Sequence, residues 1–131
     1  MKNPQVSIII RTKNEERWIS SCLEALYSQE YTDFEVIIVD NETEDKTLKK
    51  ANKFPIKEIV SVTEYLPGKA LNRGIRASRG EYIVCLSGHC IPVNERWLGT
   101  LVSALEEDES YAGVYGRQES MSFSTPADKR D

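Results

Sequence analysis

The stretch VSIIIR at residues 6–11 is a short, nearly continuous run of apolar and β-branched side chains. A run of this kind predicts a strand that is covered on both faces, as in a parallel sheet. Similar runs at residues 34–39, 56–62, 81–86 and 111–115 predict further strands, and segments with helical spacing lie between them. Strands that alternate with helices imply right-handed crossovers. The sequence therefore predicts an α/β fold with a mostly parallel sheet and flanking helices.

Polar residues that commonly cap helices precede three of the predicted helices. Asn14 is predicted to cap a helix through the apolar positions of residues 18–27, Thr43 to cap the second helix, and Asn94 to cap the last one. The remaining predicted helix spans residues 69–78. The first two strands and the helix between them form a βαβ unit.

Length and charge limit the classes of protein to consider. The chain has 131 residues, which suits one domain at about 150 residues per domain. We expect residues 1–116 to form this domain and the polar residues 117–131 to be extended or loosely ordered. The 17 Lys and Arg against 21 Asp and Glu give a net charge of −4. No general basic field is available to bind nucleic acid, so any site for a polyanion must be local.

The cysteines indicate a reducing compartment, and the apolar runs indicate that the chain does not cross a membrane. Cys22, Cys85 and Cys90 are an odd set without CxxC spacing, and we expect all three to be packing residues. The N-terminal apolar run is much shorter than the ~20 residues that span a bilayer. The prediction is a chain with no transmembrane segment, located in the cytoplasm, either free or at the inner face of the membrane.

Polar residues follow the predicted strands at the point where each strand ends. Thr12, Lys13 and Asn14 follow the first strand, Asp40 and Asn41 end the second, and Ser87, Gly88 and His89 follow the fourth. Ligands of open α/β sheets bind at the carboxyl ends of the strands, so these groups should meet in one crevice. Neither GxGxxG after the first strand nor GxxxxGK[ST] anywhere is present. A carboxylate beside amides suits the hydroxyls of a ribose or the N–H of a base, which indicates a nucleoside site.

Several of these stretches together resemble a known family. They are VSIIIRTKNE (residues 6–15), Cys22-Leu23, Gln29 with Tyr31, EVIIVDNETED (35–45) and GKALNRGIRASRGEY (68–82). In this order and spacing they resemble the donor half of family 2 glycosyltransferases with the GT-A fold. The resemblance implies a Rossmann-like nucleotide-diphospho-sugar fold. It also implies an enzyme that transfers a sugar from a nucleotide diphosphate to a hydroxyl in glycan or polysaccharide synthesis.

Site residues carry over from the family position by position. The resemblance puts Thr12 and Lys13 beside the nucleobase, and Asn41 at a position that often meets the base. An amide carbonyl there can accept from a pyrimidine N3–H, which favours UDP or dTDP donors. Lys69 matches a position where basic side chains approach the diphosphate, and Arg73 and Arg76 follow on the same helix face, although a solvated helix face is an equal alternative. The predicted nucleotide-sugar site comprises Thr12, Lys13, Asn14, Asp40, Asn41, Lys69, Arg73, Ser87 and His89.

The end of the fourth strand departs from the family. An Asp-x-Asp followed by another acidic residue commonly holds a divalent ion there, whereas this chain has Ser87-Gly88-His89-Cys90. Because Mg²⁺ and Mn²⁺ prefer hard oxygen ligands, the usual metal is in doubt. Three roles remain open for His89, the only histidine of the chain. It is a ligand of a borderline metal, a hydrogen-bond donor to the diphosphate, or a packing residue.

No catalytic residue is assigned from the sequence. In the family the base comes from a downstream segment, so we expect this chain to hold the donor-binding half and to be weakly active or inactive alone. The expected partners are a nucleotide-diphospho-sugar and a glycan or lipid-linked acceptor. One alternative is a non-catalytic nucleotide-sugar binding or assembly module. Another is a nucleotidyltransferase-like enzyme, although the glycines usual after its first strand are missing.

Overall fold

The structure is a computed structural model that describes residues 3–63 and 67–107. Its elements are β1 (Val6–Thr12), α1 (Ile19–Tyr27), β2 (Phe34–Asn41), α2 (Thr47–Ala51), β3 (Glu58–Val62), α3 (Pro67–Ala77), β4 (Tyr82–Ser87) and α4 (Trp97–Glu107). The strand predicted at residues 111–115 and the polar end at residues 117–131 lie outside the described residues.

The four described strands form one sheet in the order β3-β2-β1-β4. Every neighbouring pair is parallel, as the alternation of strands and helices predicted. In the register, Thr12 lies beside Asp40, Arg11 beside Ser87, and Val62 beside Asn41. The carboxyl ends of all four strands therefore share one edge of the sheet.

The two faces of the sheet are covered by different helices. On one face, Ile8, Ile10 and Ile38 pack in a core cluster that includes residues of α1, α2 and α4. On the other, Ile9 and Val39 belong to a cluster with residues of α3. Because side chains alternate along a strand, Thr12 and Asp40 lie on the first face, and Arg11, Asn41 and Ser87 lie on the face of α3.

Two of the predicted helix caps are wrong. α1 begins at Ile19 with Trp18 at its N-cap, and α2 begins at Thr47 with Lys46 at its N-cap. Asn14 instead adopts a left-handed backbone conformation with φ of 52°. The side chains of Asn14 and Thr43 are used in contacts between the loops that follow β1 and β2, so they are not available to the helix ends.

The third predicted cap residue, Asn94, makes a cap-like hydrogen bond, although α4 begins three residues later, at Trp97. Asn94 Oδ1 accepts a hydrogen bond from the backbone N–H of Arg96 at 2.9 Å, in the turn that leads into α4. Trp97 begins that helix and packs partly buried against the core.

The cysteines differ from one another in their surroundings. All three are free thiols. Cys22 is fully buried in the core, where burial raises its pKa to about 12. Cys90 is partly buried and packs against the same core. The prediction is wrong for Cys85, which is exposed, because it lies on β4 at the edge of the described sheet.

A buried carboxylate ties the sheet together at the edge opposite the strand ends. Glu35 accepts hydrogen bonds from Ser7 Oγ at 2.5 Å, from the backbone N–H of Arg79 at 2.7 Å and from Arg79 Nε at 3.0 Å. Gly80 N–H donates to Ser7 Oγ at 2.7 Å. This network fixes the α3–β4 turn against β1 and β2.

Among the described helices, none is long and apolar enough to cross a membrane.

Candidate functional site

Thr12 and Asp40 meet at the carboxyl ends of the two central strands. Thr12 Oγ1 donates to Asp40 Oδ1 at 2.5 Å, and both residues are 3% exposed. The backbone N–H of Thr43 donates to Asp40 Oδ2 at 3.0 Å, and its hydroxyl also contacts Oδ1. Three of the roughly four acceptor positions of this carboxylate are therefore occupied within the fold.

The loops that follow β1 and β2 are bound to each other. Asn14 Oδ1 accepts from the backbone N–H groups of Glu44 at 2.8 Å and Asp45 at 3.3 Å. The backbone N–H of Glu15 donates to Thr47 Oγ1 at 2.7 Å. Burial alone would raise the pKa of Asp45, but hydrogen bonds from Thr47 help bring it below its ordinary value. The arrangement of these two loops is therefore held by contacts within the protein and does not depend on a ligand.

Asn41 is the buried polar residue of the site that lacks a partner. It is 5% exposed, and its Oδ1 has no hydrogen-bond partner among the described residues. A buried carbonyl left without a donor is destabilising by about 1–3 kcal/mol. Asn41 lies on the face of α3, beside its register neighbour Val62. The amide is thus suited to accept a hydrogen bond from a ligand N–H.

A basic cleft lies between the end of β3 and the outer face of α3. Its volume is about 400 Å³, and its lining residues are Val62, Thr63, Lys69, Asn72, Arg73 and Arg76. Within residues 3–63 and 67–107, none of the three cations forms an ion pair. Three like charges around one cleft repel one another, so an anion that enters the cleft relieves that repulsion. Asn72 was not predicted, although its spacing of three residues from Lys69 places both on one helix face.

The turn after β4 brings His89 to the same rim. The backbone N–H of Cys90 donates to Ser87 O at 2.9 Å, which closes the turn. His89 Nδ1 lies 2.9 Å from Ser87 Oγ and 3.2 Å from Glu15 Oε1. Glu15 was not predicted as a site residue, and only its position next to Asn14 in the first loop could have pointed to it.

Gly88 allows this close approach. A Cβ at this position would lie 3.0 Å from Glu15 Cγ and 3.1 Å from Thr12 Cγ2. The turn after β4 therefore lies against Thr12 and the loop after β1, and His89 contacts Glu15 of that loop. The predicted convergence of the three strand ends is present in the structure.

The comparison with known proteins identifies the family of this chain. Residues 7–130 match the family described as Glycosyl transferase family 2. The chain belongs to this family. It is 30% identical over 122 residues to the dolichyl N-acetyl-alpha-D-glucosaminyl phosphate 3-beta-D-2,3-diacetamido-2,3-dideoxy-beta-D-glucuronosyltransferase of Methanococcus voltae. That match covers 85% of this chain but only 38% of the relative.

Solved glycosyltransferase structures share the fold. The mannosyltransferase PcManGT of Pyrobaculum calidifontis, solved with GDP-Man and Mn²⁺, superposes with a TM-score of 0.71 at 26% identity. This match covers 80% of the chain and 33% of PcManGT. TarS of Staphylococcus aureus, solved with UDP-GlcNAc, gives a TM-score of 0.70 at 24% identity over 80% of the chain and 32% of TarS. The predicted GT-A fold is confirmed, and the chain spans about a third of the length of these proteins.

The metal site expected of a family 2 glycosyltransferase does not fit the residues of this one. Within residues 3–63 and 67–107, no group of three or more His, Cys, Asp or Glu side chains could hold a metal ion. Glu15 approaches the turn after β4, but its Oε1 contacts His89. Serine, histidine and cysteine in place of carboxylates are a poor donor set for Mg²⁺ or Mn²⁺.

The predicted site residues of this family member fall into three groups. Around the Asp40 carboxylate, Thr12 donates directly, while Asn14 holds the neighbouring loop and Lys13 is exposed. Lys69 and Arg73 line the basic cleft, with Asn41 beside it. Ser87 and His89 form the turn after β4.

Proposed function

We propose that this chain is the donor-binding half of a glycosyltransferase that moves a sugar from a nucleotide diphosphate to a hydroxyl of a glycan or lipid-linked acceptor. One observation carries the proposal. The unpartnered Asn41 carbonyl lies beside a cleft with three cations that form no ion pairs among the described residues. The N–H donor of a base and the negative charge of a nucleotide complement this arrangement.

The nucleobase is the part of the donor that Asn41 would read. Its carbonyl accepts from the N3–H of uracil or thymine, and the N1–H of guanine offers the same kind of donor. We favour UDP or dTDP sugars. The TarS structure was solved with UDP-GlcNAc and the PcManGT structure with GDP-Man, so related folds bind both kinds of base.

Lys69 and Arg73 would supply positive potential that attracts the diphosphate of the donor to the site. Both are exposed side chains on α3 that line the cleft. Their attraction acts through space and is screened by salt. The acceptor is supported by likeness alone, since the name of the Methanococcus relative includes a dolichyl-linked sugar phosphate.

We propose that the chain alone binds its donor and transfers sugar slowly or not at all. Three carboxylates near the rim are engaged inside the fold: Asp40 by Thr12 and Thr43, Asp45 by Thr47, and Glu15 by His89. A base for the acceptor hydroxyl must be within hydrogen-bond reach of that hydroxyl. This observation also favours the second candidate, a binding module without turnover. The family match replaces the nucleotidyltransferase alternative.

Calorimetric titration with UDP, dTDP and GDP tests the donor site. At least one should bind, and the double variant Lys69→Ala/Arg73→Ala should bind it roughly 2- to 30-fold more weakly, because two exposed cations that attract the diphosphate are lost. The difference should shrink at high salt. Both residues are exposed, so the fold should persist.

The matched control is Lys49→Ala/Lys53→Ala, which removes two exposed cations on and just after α2, which packs on the other face of the sheet. It should leave the affinity unchanged. Failure of all three nucleotides and their sugar conjugates to bind the unaltered chain would reject the proposed function.

A further inference from the structure

His89 is held at the tip of the turn after β4 from two sides. Its Nδ1 lies 2.9 Å from Ser87 Oγ and 3.2 Å from Glu15 Oε1, while Nε2 is farther from the hydroxyl, at 3.4 Å. Its side chain remains 50% exposed, whereas that of Glu15 is only 17% exposed. The imidazole is therefore held through Nδ1, while half of its side chain remains exposed.

Two contacts hold Glu15 in place, one through its backbone N–H and one through its side chain. Its N–H donates to Thr47 Oγ1 at 2.7 Å, and its side chain lies over Gly88, where any Cβ would come within 3.0 Å of its Cγ. A carboxylate that accepts from one ring nitrogen of a histidine fixes the orientation of the ring. Glu15 has the geometry of such a positioning residue.

The distance across the sheet suits a nucleoside diphosphate. β2 and β4 flank β1, so Asn41 and the turn after β4 are two strand spacings apart, about 10 Å. A base placed at Asn41 and a ribose over β1 leave the second phosphate, the one that carries the sugar, near His89. The cations of the cleft lie on the opposite side of Asn41, with β3 and α3.

We propose that His89, oriented by Glu15, binds the sugar-bearing phosphate of the donor directly, in place of the divalent ion that carboxylates hold at this position in the family. The inference rests on the proposed donor site, and it predicts that donor binding there does not require a metal ion. The imidazole would stabilise charge on the departing nucleotide, and its counter-ion Glu15 would keep the ring edge aimed at that phosphate.

The test compares UMP with UDP, which differ only by the second phosphate. With EDTA present, UDP should bind more tightly than UMP. His89→Ala should remove about 10-fold or more of the affinity for UDP and leave that for UMP unchanged. If the uridine nucleotides do not bind, the same comparison is made with dTMP and dTDP and with GMP and GDP.

Glu15 is tested by two variants and a control. Glu15→Ala should lower the affinity for UDP but not for UMP, and Glu15→Gln, which keeps an acceptor oxygen, should recover part of the loss. Glu24→Ala, on the exposed face of α1, should change neither. Because His89 is the only histidine, ¹⁵N-histidine labelling gives a single pair of ring signals. UDP should shift them, UMP should not, and the shift should shrink in Glu15→Ala.

Two results would overturn the inference while leaving the donor site in place. One is a preference for UDP over UMP that requires Mn²⁺ and disappears in EDTA, which would assign His89 to a metal. The other is an unchanged ratio of UDP to UMP affinity in His89→Ala. If no nucleotide of the three bases binds, the proposed function itself fails and the inference fails with it.

Discussion

Asn41 and Asp40 are adjacent in sequence but have opposite hydrogen-bonding states. Asp40 accepts from Thr12 and Thr43, so its charge is used to hold the two loops of the rim. Asn41 is equally buried, yet its Oδ1 has no partner among residues 3–63 and 67–107. The strand alternation that points them to opposite faces explains the difference, because the loop contacts are all on the side of Asp40.

Replacing Asn41 by leucine should separate stability from binding. Removing a buried, unpartnered carbonyl should leave the free energy of unfolding unchanged or raise it by up to about 1 kcal/mol. The affinity for the nucleoside should fall roughly 5- to 150-fold, because a base N–H would lose its acceptor. Urea unfolding and calorimetry measure the two effects. Asn52→Leu, at an exposed position, is the control and should not alter binding. A variant that binds normally would show that Asn41 does not contact the base.

At the scale of elements, α3 determines where the cleft lies. Its contact with the sheet is unusually close at Gly74, where a Cβ would lie 2.7 Å from Ile9 Cγ2 and 3.0 Å from Val39 Cγ2. Those side chains are buried, so they have little room to move. Close packing of this helix brings the segment with Lys69 and Arg73 to the edge of the sheet.

Two glycine substitutions on helices should have opposite effects. Gly74→Ala should be destabilising by up to about 2 kcal/mol net, since overpacking costs about 1–3 kcal/mol and alanine returns about 1 kcal/mol of helix propensity. Gly99→Ala in α4 should be stabilising by about 0.5–1 kcal/mol, because within residues 3–63 and 67–107 its Cβ would meet only Tyr31 Cβ, at 3.8 Å. Urea midpoints compare the two. Equal stabilisation by both variants would contradict the tight α3 contact.

In the fold as a whole, the two ends of the parallel strands have different roles. The carboxyl edge carries the site, and the opposite edge carries the network of Glu35, Ser7 and Arg79. Burial alone would raise the pKa of Glu35, but hydrogen bonds from Ser7 and Arg79 and the charge of Arg79 bring it below its ordinary value. A carboxyl whose pKa is lowered by folding stabilises the fold when it is ionised.

Glu35→Gln should therefore be less stable than the unaltered chain at neutral pH, and the difference should disappear in acid. Above the ordinary glutamate pKa of about 4.3, the variant should be less stable by about 1.5–3 kcal/mol, since charge-assisted bonds are weakened. The difference should shrink as the pH falls through the lowered pKa of the folded chain, where Glu35 becomes protonated. Urea unfolding at pH 7, 5 and 3 measures it. Glu58→Gln, an exposed site, should show no such trend, and a pH-independent difference for Glu35→Gln would exclude the charge as its cause.

Local sequence patterns were sufficient to predict the parallel sheet and the end of it at which the candidate site lies. The runs at residues 6–11 and 34–39 are apolar without alternation, and only strands covered on both faces bury such runs. Once the strands are parallel, the residues after them must meet at one edge, so Thr12, Asp40 and His89 converge.

Tertiary contacts decided how the side chains at that edge are used. Asn14 and Thr43 have the chemistry of helix caps, but the Asn14 side chain accepts from the loop after β2, and the Thr43 hydroxyl accepts from the Asn14 N–H and donates to Asp40. The pairing of Glu15 with His89 and the unpartnered amide of Asn41 depend on residues distant in the chain. Sequence fixes which groups reach the edge because strand direction and alternation are local. Their hydrogen-bond partners come from separate loops, and only the folded arrangement brings those loops together.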